Sequence, residues 1–128
     1  MIDRLKQIYA EADALSNELP AELSKKIFLY TQALGIIGRY HADAVRAHGS
    51  AYAERKRIYG ESIVNGEGTA KDKEGYAEMQ SYEARIFEAQ AESEMWRWRN
   101  AYTSTQEVIN ALKLELKSLM QEYGASTG

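Results

Sequence analysis

Val64-Asn65-Gly66-Glu67-Gly68-Thr69-Ala70 is the clearest break in the chain, and the patterns on its two sides decide the fold class. Asn-Gly and Gly-x-Gly favour positive φ, and Thr69 followed three residues later by Asp72 has the form of a helix N-cap. The stretch reads as a turn that closes one helix and opens another. The Lys-Ser/Thr ending of a phosphate-binding loop is missing and no strand precedes it, which weighs against a nucleotide site.

Upstream, a helical pattern runs from Pro20 to about Ile63. Proline suits the first turn of a helix, where its missing N–H costs nothing. Ile27, Tyr30, Leu34, Ile37, His41, Ala44, His48 and Tyr52 recur in steps of three and four, a coiled-coil-like seam. Unbroken, such a helix is about 60 Å long at 1.5 Å per residue. Gly35, Gly38 and Gly49 inside it mark either close helix contacts or kinks. Before Pro20, residues 1–17 read as a short helix with Ile2, Leu5, Tyr9, Ala12 and Leu15 on one face, interrupted by Ser16-Asn17-Glu18-Leu19.

Downstream, a third helix is expected over 70–123, with residues 124–128 as a frayed tail. Its first half carries Met79, Tyr82, Ile86, Ala89, Ser93 and Trp96; its second half carries Tyr102, Thr105, Ile109, Leu112, Leu116, Leu119 and Tyr123. The two seams are out of phase. A stutter or bulge near Met95-Trp96-Arg97-Trp98, or a change of packing partner there, is expected.

The expected fold is all-α. One domain over residues 1–128 has a short N-terminal helix (1–17), a long helix (20–63), a turn (64–69) and a second long antiparallel helix (70–123), a helical hairpin. Narrow seams leave Phe28, Ile36 and Trp98 outside, and Trp96 and Trp98 cannot share a face on a regular helix. Phe28, Ile36, Trp96 and Trp98 are therefore expected at the interface of a homo-oligomer.

At 128 residues and a formal net charge of −3, the chain has the size of one domain. It has no cysteine, which removes disulfides, thiol nucleophiles and cysteine metal sites and fits a reducing cytoplasm. No apolar run reaches the roughly 18 residues of a membrane span, and the first residues lack the apolar core of a signal peptide. The charge is uneven. Residues 20–60 hold seven basic and three acidic side chains, whereas residues 61–128 hold seven and twelve.

His41 and His48, two turns apart, are separated by about 10 Å, too far to share one metal ion; polar seam positions suit them better. No Ser/His/Asp or paired-carboxylate constellation stands out, so neither an enzyme nor a cofactor is expected. The densest charge is Ala53-Glu54-Arg55-Lys56-Arg57-Ile58-Tyr59-Gly60. On a helical wheel Arg39, Arg46 and Arg57 fall within about 20° of one another, opposite the seam, and a line of cations along a rod suits a phosphate backbone. A solvated outer face is the plainer alternative. Arg55 falls toward the seam instead, so either it reaches out along its aliphatic stem or the helix changes phase near Gly49. Trp96-Arg97-Trp98-Arg99 mixes rings and guanidiniums as a single-strand stacking platform does, but core or interface packing suits both rings better.

Arg55-Lys56-Arg57-Ile58, ending a long helix just before Tyr59-Gly60, resembles the Lys-Ala-Arg-Leu motif of the phage UvsY-type recombination mediators. Leu29-Tyr30 and His41 also resemble that family's upstream residues, at different spacing. A glycine-bearing break, a second long helix with a central tryptophan, and a C-terminal helix rich in Ser/Thr, Leu and Lys follow in the same order. The likeness spans roughly residues 23–119. It implies a small helical ring-forming protein that binds single-stranded DNA and helps a RecA-like recombinase load onto strands covered by single-strand-binding protein. Arg55 and Arg57 take the places of the motif's lysine and arginine, and Lys56 replaces its alanine. Arg46, Arg39 and the turn lysines Lys71 and Lys73 would assist. The departure is the acidic overall charge, which leaves room for weaker DNA binding or for a role in contacting proteins. A helical adaptor or inhibitor of the phage anti-defence kind, acting by protein contacts alone, is the alternative.

Overall fold

The computed structural model describes residues 2–127, which form four α-helices: α1 (Ile2–Asp13), α2 (Pro20–Asn65), α3 (Ala70–Gln80) and α4 (Tyr82–Thr127). No strand occurs among the described residues, so the chain is all-α as its pattern requires. None of the described helices is long and apolar enough to cross a membrane.

The helix ends follow local chemistry. α1 stops at Asp13 rather than Asn17 because its last turn tightens, with the Leu15 N–H bonding the Ala12 carbonyl at 3.1 Å. The connection is then held by polar side chains: the Glu18 N–H donates to Ser16 Oγ at 3.0 Å and the Ser16 N–H to the Glu22 carboxylate at 3.4 Å. α2 begins at Pro20 as expected and runs unbroken through Gly35, Gly38 and Gly49. Of these, Gly38 is the close contact: a Cβ there would lie 3.5 Å from the Tyr102 ring. The turn after α2 holds the one glycine among the described residues with positive φ, Gly68 at 98°. Thr69 then caps α3 with a full capping box, its hydroxyl accepting from the Asp72 N–H while the Asp72 carboxylate accepts from the Thr69 N–H.

The expected single helix over 70–123 is corrected in two ways. It is interrupted at Ser81, where ψ is 3° and the Ala77 carbonyl accepts from both the Ser81 N–H at 3.0 Å and its Oγ at 2.7 Å, a back-bonding pattern that bends helices. The stutter or bulge expected near Met95–Trp98 is absent, since α4 is continuous there; the grouping of contacts does change between Trp98 and Arg99, as the alternative of a change of packing partner has it. The tail expected from Gly124 is helical as far as Thr127; Gly128 lies outside the described residues.

Contacts group the chain into two compact units, residues 1–40 with 99–128, and residues 41–98. In the first, α1 contributes Leu5, Ile8 and Ala12, α2 contributes Leu23, Leu29, Ala33, Ile36 and Ile37, and α4 contributes Thr105, Ile109 and Leu112, all buried. The Tyr9 and Tyr30 rings meet at 5.9 Å, and Ile8 borders the same groove as Ile36. α1 therefore meets Tyr30 of the seam and reaches Ile36 beside it. Ile36, expected at a subunit interface, is 6% exposed within the single chain for that reason.

The second unit has a leaner core. Its buried residues are Ala44, Ala51, Ser62, Ala77, Ser81 and Trp98, so Trp98 is its one large covered ring among the described residues. On α2 the seam continues as Ala44, His48, Ala51, Arg55, Ile58 and Ser62, and Tyr52, expected within it, is exposed. On α4 the covered line is Ser81, Ala84, Glu88, Ala91, Met95 and Trp98. This line keeps the same three-four rhythm as Thr105, Ile109 and Leu112, which removes any need for a stutter. The larger residues expected to form the seam (Met79, Tyr82, Ile86 and Trp96) are exposed instead.

Candidate nucleic-acid interface

Three of the expected cations sit together at the end of α2, and their surroundings differ sharply. Arg55 occupies a seam position and donates its Nε to the Glu88 carboxylate of α4. The helix is unbroken, so no change of phase turns Arg55 outward. Its guanidinium also lies 5.2 Å from the centroid of the Tyr52 ring, and the Lys56 ammonium lies 5.5 Å from the same centroid. Tyr52 is thus an exposed ring flanked by two cations, a stabilising arrangement of charge against an aromatic face.

Arg57 lies on the outer face between two carboxylates of its own helix. Its Nε donates to Glu54 at 3.0 Å and a terminal nitrogen donates to Glu61 at 2.8 Å. Both spacings are those of helix neighbours. The hydrogen bond to Glu54 and then that to Glu61 raise the Arg57 pKa above its ordinary value, and the same Arg57 bond lowers that of Glu54.

Arg46 is exposed and paired with Asp43 one turn earlier. Arg39 belongs to the other unit, where it borders a groove with Arg4, Ile8, Gln32 and Ile36. Lys71 is exposed on the first turn of α3. Lys73 is half-buried, its stem so close to Gly66 that a Cβ there would lie 3.3 Å from the Lys73 Cγ. Tyr52, Arg55 and Lys56 therefore form one cluster, Arg57 lies on another face of the same helix with Glu54 and Glu61, and Arg39 and Lys73 have other surroundings.

The tryptophans separate as a regular helix demands. Trp98 is 9% exposed, with its indole N–H donating to Glu94 at 3.0 Å and the Arg97 guanidinium 5.1 Å from its ring. It is a core residue of its unit, not surface for another subunit. Trp96 is 44% exposed and Phe28 60% within the single chain. His41 and His48 are half-buried seam residues, and no group of three or more metal-ligating side chains occurs among the described residues.

Sequence reasoning missed the partners rather than the cations. Glu54 and Glu61 stand at three- and four-residue distance from Arg57, a signal readable in the sequence. Glu88 as the partner of Arg55 was not readable, because it depends on the register between two helices. Compared with models of protein families, with curated proteins and with solved structures, the chain matches none.

Proposed function

We propose that the chain is a non-enzymatic recombination mediator of the UvsY type in the cytoplasm of a phage-infected host. It is a helical hairpin, assembled as a homo-oligomer, that holds single-stranded DNA and helps a RecA-like recombinase load where single-strand-binding protein is bound. The supporting observation is the Tyr52 cluster, an exposed ring with Arg55 and Lys56 over it, and Arg57 exposed further along the same helix. A base stacks on an aromatic ring whatever its sequence, and adjacent cations meet the phosphates. No step needs a covalent intermediate or a cofactor. The chemistry is positioning.

A specific observation favours the adaptor reading beside it. Arg55, Arg57 and Arg46 each have a carboxylate of the same chain within bonding distance, so a phosphate must compete with Glu88, Glu54 and Asp43. If those pairs prevail, the cluster stabilises the fold, and the protein acts through contacts with other proteins alone. Fluorescence anisotropy with a labelled single-stranded oligonucleotide separates the two. Binding at low salt that weakens for Tyr52→Ala supports the mediator. No binding at low salt to the intact assembly ends the DNA reading and leaves the adaptor.

A further inference from the structure

The first half of α4, with the last turn of α3, carries two stripes at heptad spacing on nearly opposite faces, about 160° apart. One is the covered line through Glu88 and Trp98. The other is Met79, Tyr82, Ile86, Ala89, Ser93 and Trp96, and it is exposed throughout. Met79 and Tyr82 border one groove despite the interruption at Ser81. Strict three-four spacing over about 27 Å of helix is the signature of a helical occupant.

We propose that this stripe is the contact with a second copy of the chain, packed antiparallel about a two-fold axis. The inference gives a surface to the homo-oligomer proposed above and rests on that part of the reading, not on DNA binding. The residues themselves favour self-pairing. Large side chains lie toward one end (Met79, Tyr82, Ile86) and small ones beyond (Ala89, Ser93), before Trp96. Running antiparallel, Tyr82 faces the second copy's Ser93, Ile86 faces its Ala89, and Met79 faces its Trp96, so large meets small in the two inner layers.

Charge selects the same direction. Arg85 and Glu92 flank the stripe on one side, seven residues apart. In the antiparallel register Arg85 of each copy lies beside Glu92 of the other, which makes two opposite-charge contacts by symmetry. In the parallel register Arg85 meets the neutral Gln90, Glu78 meets Glu83 and only Glu92 meets an opposite charge, Arg97, whereas the antiparallel register also sets Glu78 beside Arg99. Within one chain Arg85 already bonds the Glu78 carboxylate at 2.9 Å, which holds it at the edge of the stripe.

Sedimentation velocity on the full chain, with two cross-linking variants, tests this. The intact protein is expected to sediment as two or more chains, and Ile86→Glu is expected to weaken association about a hundredfold by burying an unpaired charge. Circular dichroism will show that its helicity is retained. Arg85→Glu is expected to weaken association and Arg85→Glu/Glu92→Arg to restore it. Because the chain has no native cysteine, mixed Ile86→Cys and Ala89→Cys proteins report direction: antiparallel packing gives mainly the 86–89 disulfide. A monomeric wild type overturns both this surface and the oligomer. An oligomer unchanged by Ile86→Glu overturns this surface alone. Predominant 86–86 and 89–89 disulfides overturn the antiparallel arrangement.

Discussion

Arg55 of α2 and Glu88 of α4 form an ion pair inside the seam of the second unit, with 26% and 16% of their side chains exposed. Around them the covered residues are mostly small, Ala51 and Ala84 among them. The pair is therefore the main directional contact between the two helices there. Charges largely removed from water cost most when one loses its partner. Glu88→Leu or Arg55→Leu alone is expected to destabilise the fold by about 1–3 kcal/mol, discounted for the remaining exposure. The double variant should cost less than the sum of the two. Urea unfolding of all four proteins gives the coupling energy, and strict additivity would show that the pair contributes nothing.

Ile36 and Phe28 test where the core of the first unit ends. Both lie off the predicted seam, yet Ile36 is covered and Phe28 is open to solvent. Ile36→Ala is expected to cost about 2–5 kcal/mol, as for other buried aliphatic truncations. Phe28→Ala should change stability of the isolated chain by no more than about 0.5 kcal/mol. Thermal unfolding measures both, and equal effects would contradict the covering role of α1.

The turn carries a pH signature. The Thr69 backbone N–H, followed by its hydroxyl contact, lowers the Asp72 pKa below the ordinary 3.8. The folded chain then binds this proton less readily than the unfolded chain does. The contribution of Asp72 is accordingly complete above that ordinary value and is lost as pH falls through the lower folded one. Asp72→Asn is expected to flatten the acid limb of the stability curve and Thr69→Ala to cost about 1 kcal/mol. Gly68→Ala should cost more than that, since φ is positive and the new Cβ would lie 2.6 Å from the Asp72 carboxylate. Stability followed from pH 2 to 6 tests all three.

The all-α class, the start of α2 at Pro20, the capped turn at Thr69 and the Ile109–Leu112 core were legible because each has a local or densely apolar signal. The first half of α4 was not. Its covered face is built from Ser81, Ala84, Glu88 and Ala91, whereas the larger Tyr82, Ile86 and Trp96 face outward. Hydrophobic periodicity follows size, so it selected the wrong stripe and left open a stutter or bulge that is absent. In the candidate site the cations were legible and their neutralising partners only partly so. Glu54 and Glu61 lie within a turn of Arg57, but Glu88 depends on tertiary register, and Tyr52 leaves the seam because Ala51 takes its place.

The salt dependence of single-stranded DNA binding tests the functional proposal most directly. If Arg46, Lys56 and Arg57 meet phosphates, log K against log salt should fall with a slope of about −2, since each phosphate contact on a single strand contributes about −0.7. Removing two of them in Lys56→Ala/Arg57→Ala should bring the slope near −0.7 while the helicity stays unchanged. A slope that is the same for the intact protein and the double variant, or no binding at low salt, would contradict DNA binding through Lys56 and Arg57.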